Sequence, residues 1–260
     1  VPVLYAEGLT VAGKALILDK DGVLIDFHRV WRGITEHRVR AACALSGRWD
    51  REHQWLEWLG LSSGRVKPDG ILAVGTRQEA LTTLAAAMHQ GGVAWPIARN
   101  WATQAFECAD RAARRYEQDN WLEGVADALR GLQAQGWKLA IATTDVTASA
   151  MRDLNVVGFS ETDIVVVGSD RVRHPKPAPD MVQLACQDLG VSPSDSVLIG
   201  DTATDLQMGL AAGVKACIGV RSGVGSSDDL KPWADALLDG VWQLDPFRQH
   251  PVLPVEKASE

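Results

Sequence analysis

Asp19 and Asp21, two positions apart, follow the apolar run Ala15-Leu16-Ile17-Leu18 and precede Gly22. An apolar run of this length closed by a glycine turn reads as a short buried strand. Strand side chains alternate, so positions i and i+2 lean to the same side. Two carboxylates at the end of a buried strand repel each other unless a cation sits nearby. The pair therefore points to a magnesium-assisted phosphoryl-transfer centre, with Asp19 as nucleophile and Asp21 as general acid.

Three further segments carry groups that fit such a centre. Leu139-Ala140-Ile141-Ala142 runs into Thr143-Thr144-Asp145; a strand-end hydroxyl holds a phosphate oxygen or caps the next helix. In His174-Pro175-Lys176-Pro177-Ala178-Pro179-Asp180 one lysine stands among three prolines, whose fixed φ aims its side chain. Near carboxylates Lys176 would neutralise the nucleophile and the transferring phosphoryl group; otherwise it is a solvated lysine on a rigid loop. Val197-Leu198-Ile199-Gly200 leads into Asp201, and Asp205 lies one turn further on. Acids at a helix N-terminus ordinarily cap it or complement its dipole, and here ligation of a metal is the sharper option. Magnesium takes few protein oxygens and keeps several waters. Asp19, the backbone carbonyl of Asp21 and Asp201 would supply enough, with Asp205 binding through water or orienting Lys176.

The elements that must position these groups follow from the pattern around them. From Asp26 to about Tyr116 the chain reads as helix after helix with no convincing strand. Val30, Ile34, Ala41 and Leu45 keep helical spacing, as do Trp101, Ala105, Cys108 and Ala112. Gly60 stops a helix carrying Trp55, Leu56 and Leu59, and Thr76-Arg77-Gln78-Glu79 has capping-box form. Ser62 to Gly75 is expected to be a loop. After Asn120 strands and helices alternate. Helices are expected over Leu122 to Leu132, Pro179 to Leu189 and Thr204 to Ala212. Strands are expected over Trp137 to Ala142, Ile164 to Val167, Ser196 to Ile199 and Val214 to Ile218, with an edge strand over Ala236 to Leu238. Such alternation implies an α/β fold, a Rossmann-like doubly wound parallel sheet with an inserted all-helical cap. The expected core is 1–25 with 119–260, and the expected cap is 26–118. Ligands of such sheets sit beyond the carboxyl ends of the strands, where Asp19 lies.

Composition narrows the classes. The 260 residues are 46% apolar and carry a net charge of −7, which argues against general nucleic-acid binding. No apolar run approaches the roughly 20 residues of a membrane helix, and the first residues do not read as a signal peptide. Cys43, Cys108, Cys186 and Cys217 form no CxxC pair and are expected to be buried reduced thiols of a cytoplasmic protein. Charge is unevenly spread: 26–118 holds 13 Lys+Arg against 10 Asp+Glu, the remainder 13 against 23. Six of the ten tryptophans, Trp31, Trp49, Trp55, Trp58, Trp95 and Trp101, also lie in the insertion. Most are expected to pack its core, with one or two left to wall a pocket.

Taken in order, Leu18-Asp19-Lys20-Asp21-Gly22-Val23, Thr143, Lys176 and Gly200-Asp201-Thr202-Ala203-Thr204-Asp205 resemble the four motifs of the haloacid dehalogenase superfamily. The resemblance covers about 10–25 and 119–240. It implies that Asp19 forms an aspartyl phosphate and that Asp21 protonates the leaving alcohol. It further implies that Thr143 and Lys176 hold the phosphoryl oxygens, and that Asp19, Asp21, Asp201 and Asp205 make up the Mg²⁺ site. The Lys-Pro-Ala-Pro-Asp segment and helical cap are similar to those of the phosphoglycolate phosphatase-like group. That group also holds sugar-phosphate phosphatases, pyrophosphatases, phosphonate hydrolases and β-phosphoglucomutase. Asp21 argues against dehalogenases and phosphonate hydrolases, whose second acidic position differs; a mutase would need the same pair. A non-catalytic phosphate-binding module is expected to lack one of these groups, and all are present. The expected partner is a small phosphorylated metabolite, the expected state a monomer or homodimer. For specificity, Arg65 and Lys67 in the Gly/Pro loop are the first candidates, then His28, Arg29, Trp31 and Arg32.

Overall fold

Strand β3 (Ala15–Leu18) is central in a six-stranded parallel sheet of the computed structural model, which describes residues 1–6, 8–113 and 120–244. To one side lie β6 (Lys138–Ala142) and β7 (Val165–Val167); to the other β8 (Ser196–Gly200), β9 (Ala216–Val220) and β10 (Ala236–Leu238). Every neighbouring pair is parallel, with Leu18 level with Ile141 and Ile199. The chain leaves β3 toward β6 and later returns to its other flank at β8. That reversal opens a crevice at the carboxyl ends of β6, β3 and β8.

Alternation along the strands builds two cores. Leu16, Leu18, Leu139, Ile141, Val197 and Ile199 share one cluster with α6 (Val125–Ala134) and α7 (Thr147–Val156). Ile17, Ala140, Ala142 and Leu198 turn to the opposite face, against α8 (Asp180–Leu189) and α9 (Ala203–Ala212). A sheet covered on both faces needs near-continuous apolar strands, as these sequences are. Among the described residues no helix is long and apolar enough to cross a membrane.

The segment after β3 forms a helical layer with its own buried cluster. It comprises α1 (Phe27–Ser46), α2 (Glu52–Trp58), a four-residue α3 (Ile71–Val74), α4 (Arg77–Gln90) and α5 (Trp95–Ala113). Its cluster joins Val39 and Ala42 of α1, Leu84 and Met88 of α4, and Ala102 and Phe106 of α5 around Trp55. The capping box expected at Thr76 is present, Thr76 Oγ1 accepting from Glu79 N and Glu79 accepting from Thr76 N.

Several expectations are corrected. The layer contains a hairpin, β4 (Leu61–Ser62) with β5 (Arg65–Val66), closed by Ser63 and Gly64 at φ 49° and 74°; two left-handed residues make the turn that matches strand twist. A second unexpected hairpin, β1 (Val3–Ala6) with β2 (Leu9–Ala12), packs Leu4 and Val11 on the main core. On α1 the inward face is Thr35, Arg38, Val39, Ala42 and Cys43, and Leu45 is exposed. Val30 and Ile34 turn toward the sheet domain instead, Val30 packing on its main core. Of the six tryptophans named, Trp55 is buried, whereas Trp49, Trp58 and Trp95 are exposed. Three cysteines are buried and unpaired; Cys108 is unpaired and exposed. Tyr116 and the expected 118/119 boundary lie outside the described residues, and nothing is described of the Ala112 side chain.

Candidate active site

Adjacent strands bring the sequence candidates together. Asp19 follows β3, Thr143 follows β6 and Asp201 follows β8, so register alone sets three groups at one crevice. Lys176 arrives from the segment between β7 and α8. Its Nζ lies 2.6 Å from Asp19 Oδ1 and 2.6 Å from Asp205 Oδ1. Asp205 also caps α9: its Oδ2 accepts from Thr202 N at 3.0 Å, and Thr202 Oγ1 accepts in return from Asp205 N at 3.4 Å. Asp205 thus contacts Lys176 directly while it caps α9.

Carboxylate oxygens of Asp19, Asp201 and Asp205 all lie within 4.8 Å of one another. Asp201 is buried, and its Oδ2 accepts from Val224 N at 2.9 Å. Its Oδ1 finds no hydrogen-bond partner among the described residues. Gly22, at φ 90°, passes so close that a Cβ there would strike the Asp201 carboxylate. A buried carboxylate oxygen left without a donor in an acidic cluster fits a hard cation, and an all-oxygen donor set fits Mg²⁺. Burial pushes the Asp19 carboxyl up to about 7 against the pull of Lys176, with Asp205 and Asp21 adding to the rise. Burial, then Asp205 and Asp19, raises Asp201 as well. On Lys176 burial works against the charge, but the Asp19 and Asp205 carboxylates outweigh it and keep the ammonium protonated. Asp21's carboxylate is not in the acidic cluster.

Asp21 turns toward two donors instead. Trp31 Nε1 on α1 donates to Oδ1 at 2.5 Å, and Lys20 Nζ is 3.2 Å from Oδ2. Lys20 points away from the phosphoryl side into a nest of acids, with Asp153 at 2.7 Å and Asp145 at 3.5 Å. Burial raises Asp21, while Lys20 and the Trp31 bond hold it back. Thr143 is fully buried and its Oγ1 accepts from Asp145 N at 3.1 Å, so it also fixes the turn.

A cavity of about 50 Å³ opens beside Asp19, Asp21 and Lys176. Thr144, Trp31, Arg38, Arg77 and the α3–α4 turn complete its wall. A larger one of about 300 Å³ continues past Asp21 and Trp31 along Lys20, Arg152 and Asp153. Arg65 and Lys67 sit exposed on and just after the β4–β5 hairpin and line neither cavity. His28, Arg29 and Arg32 are exposed on α1 and likewise line neither; of that group Trp31 alone is in the wall. The sequence reading missed Arg38 and Arg77, which reach the site only through tertiary packing of α1 and α4. It also missed Lys20, whose partners Asp145 and Asp153 are more than a hundred residues away.

Residues 14–213 match the family model described as haloacid dehalogenase-like hydrolase. A relative from Dickeya dadantii named "probable phosphatase IndB" is 43% identical over 108 residues, 42% of this chain and 46% of its own. A "phosphoglycolate phosphatase, plasmid" from Cupriavidus necator is 36% identical over 119 residues, 45% of this chain and 51% of its own. The chain thus spans about half the length of the curated relatives it matches. A crystal structure of a "predicted phosphoglycolate phosphatase" from Haemophilus somnus superposes with a TM-score of 0.68 at 18% identity, covering 91% of this chain and 98% of the other.

Proposed function

Because the chain belongs to the haloacid dehalogenase-like hydrolases, we propose that it is a Mg²⁺-dependent phosphatase of a small phosphorylated metabolite, working through an aspartyl phosphate. One observation carries this reading: the Asp19 carboxylate is held by Lys176 at 2.6 Å beside Asp201, whose inner oxygen lacks a partner among the described residues. Asp19 and Asp201, with the Asp21 carbonyl, would hold the Mg²⁺; once bound it offsets their repulsion and polarises the phosphoryl group. The free Asp19 oxygen attacks phosphorus, the bond to the leaving oxygen breaks, and Asp21 gives that oxygen a proton. Asp21 then takes a proton from the water that attacks the same phosphorus, which frees phosphate and restores Asp19. Lys176 and Thr143 hold the phosphoryl oxygens, and Asp205 keeps Lys176 aimed.

The helical layer, read as a cap over residues 26–118, lies on the other side of the reacting group and sets what leaves. On that side the cavity beside Asp19 is walled by Trp31, Arg38 and Arg77 and continues into the one of about 300 Å³, so its polar wall rather than its volume would select the leaving group. Arg65 and Lys67 are set aside as specificity residues in favour of the cavity wall. The test is phosphate release from an aryl phosphate and from a panel of phosphorylated metabolites, with Mg²⁺ and with excess chelator. Turnover that survives the chelator, or no turnover of any substrate with Mg²⁺, would refute the reading. An isomeric monophosphate in place of free phosphate would make the chain a phosphotransferase.

A further inference from the structure

The loop after β9 touches the candidate metal ligand with its backbone and the cap with a side chain. It reads Ser222-Gly223-Val224-Gly225. Val224 N donates to Asp201 Oδ2 at 2.9 Å, and Gly225 N donates to the Asp201 carbonyl at 3.1 Å. A Cβ at Gly223 would strike the Asp201 carboxylate, so the loop backbone is pressed against it. Ser222 Oγ donates to the Gly22 carbonyl at 2.6 Å, on the turn that follows Asp21. The loop thus bridges the ends of β3 and β8, the two places that would supply the Mg²⁺ ligands.

The Val224 side chain packs on the apolar cluster of Phe27, Leu61 and Val66, which Leu72 and Ala73 also join. Phe27 opens α1, Leu61 and Val66 face each other across the β4–β5 hairpin, and Leu72 and Ala73 belong to α3. Among the described residues Val224 is the one member of this cluster from the sheet domain. A β-branched side chain is stiff at χ1, so its seat on the cap also ties down the direction of its own N–H. That N–H holds one oxygen of Asp201, while Oδ1 finds no partner among the described residues. Mg²⁺ demands near-ideal octahedral geometry, so the angle at which this carboxylate is held matters to its binding.

We propose that Val224 is a positioning residue for the metal ligand Asp201, a joint through which the seating of the β4–β5 hairpin sets how well the site holds Mg²⁺. Whatever seats the hairpin then tightens Mg²⁺, and by linkage Mg²⁺ holds the hairpin more firmly. This rests on the phosphatase reading above, which puts Mg²⁺ at Asp201, and deepens it. It also gives a role to the hairpin region, whose Arg65 and Lys67 line neither cavity.

The test is calorimetric titration of Mg²⁺ into the metal-free full chain, without substrate. Val224→Ala keeps the N–H and loses the seat. It should weaken Mg²⁺ binding about fivefold or more, and Leu61→Ala, in the hairpin, should do the same. Leu84→Ala truncates the cap's main cluster away from the joint and should leave the affinity within about twofold of wild type. If Leu61→Ala does not fold, Val66→Ala carries the same test. Amide exchange reads the reciprocal effect at the Lys67 N–H, which bonds the Gly60 carbonyl at 2.9 Å beside the hairpin. Mg²⁺ should slow that exchange in wild type and slow it less in Val224→Ala. An unchanged affinity in Val224→Ala or in the hairpin variant overturns the joint, as does exchange that Mg²⁺ does not slow. An equal loss in Leu84→Ala overturns it too, since the cause would be general loosening of the cap. Wild type that binds Mg²⁺ while the variants match it leaves the phosphatase reading standing without the joint. Wild type that binds no Mg²⁺ removes that reading and the joint together.

Discussion

Trp31 connects the cap to the proposed general acid, and replacing it with phenylalanine removes one N–H while keeping an aromatic ring in the wall. The bond lost is a 2.5 Å contact from an indole N–H to Asp21 Oδ1. Hydrogen bonds to charged groups are worth about 1.5–3 kcal/mol. Asp21 retains Lys20 at 3.2 Å on its other oxygen, so its orientation is only partly released. About half the bond, roughly 0.75–1.5 kcal/mol, is therefore expected in the transition state, or about 4- to 12-fold in rate. The loss should concentrate on substrates whose leaving group needs a proton. The assay is kcat/KM for an alkyl and an aryl phosphate across pH. Trp31→Phe should lower the alkyl-to-aryl ratio by that factor, in the same direction as Asp21→Asn. Removing a donor to the carboxylate also raises the Asp21 pKa, so the alkaline limb of the alkyl profile should move to higher pH. A ratio and limb that stay put would refute the positioning role. If Asp21→Asn itself leaves the ratio unchanged, Asp21 is not the general acid.

Lys20→Met leaves three acids facing one another without their cation, and breaking such a buried cluster costs about 3–5 kcal/mol; urea unfolding that shows less than about 1 kcal/mol would mean the cluster relaxes into solvent. In the metal-free protein Asp19, pushed up to about 7, and Asp201, also raised by burial, hold protons that the unfolded chain gives up near its ordinary carboxylate pKa of about 3.9. The folded state then binds more protons than the unfolded one, so stability falls as pH rises from about 4 toward 7. Mg²⁺ removes that penalty, and its effect on Tm should grow across the same window; an equal effect at pH 5 and pH 8 would contradict the assignment. Asp201→Asn should raise the Mg²⁺ concentration needed for half-maximal stabilisation at pH 8, and an unchanged titration would move the ion elsewhere.

Local rules made the sheet domain and its acids legible. Apolar runs ended in Asp19, Thr143 and Asp201, and once the strands are parallel and adjacent, register alone brings those residues together. Lys176 was singled out by the prolines around it, and Asp205 by its place one turn into α9. The cap was harder because its side chains act through packing between distant elements. The Gly/Pro loop pointed to Arg65 and Lys67, yet the hairpin there leaves them exposed and outside the cavity. Arg38 falls between Thr35 and Val39 and looks like any helix-face arginine until Phe106 and Asp110 of α5 close over it. Lys20 meets its neighbour Asp21, but its other acidic partners, Asp145 and Asp153, come from the α7 region. Val30 and Ile34 keep the helical spacing, but spacing alone names no partner: one face of α1 packs on the layer and another on the sheet domain.

The most direct test of the account is chemical trapping of the covalent intermediate. The Mg²⁺-loaded protein is mixed with excess aryl phosphate, quenched in acid, reduced with borohydride and digested. An aspartyl phosphate reduces to homoserine, which peptide mass spectrometry locates. The account predicts conversion at Asp19 and at no other acid, abolished in Asp19→Asn together with turnover. Steady hydrolysis with no conversion at Asp19, or conversion at Asp21 or Asp201 instead, would contradict it.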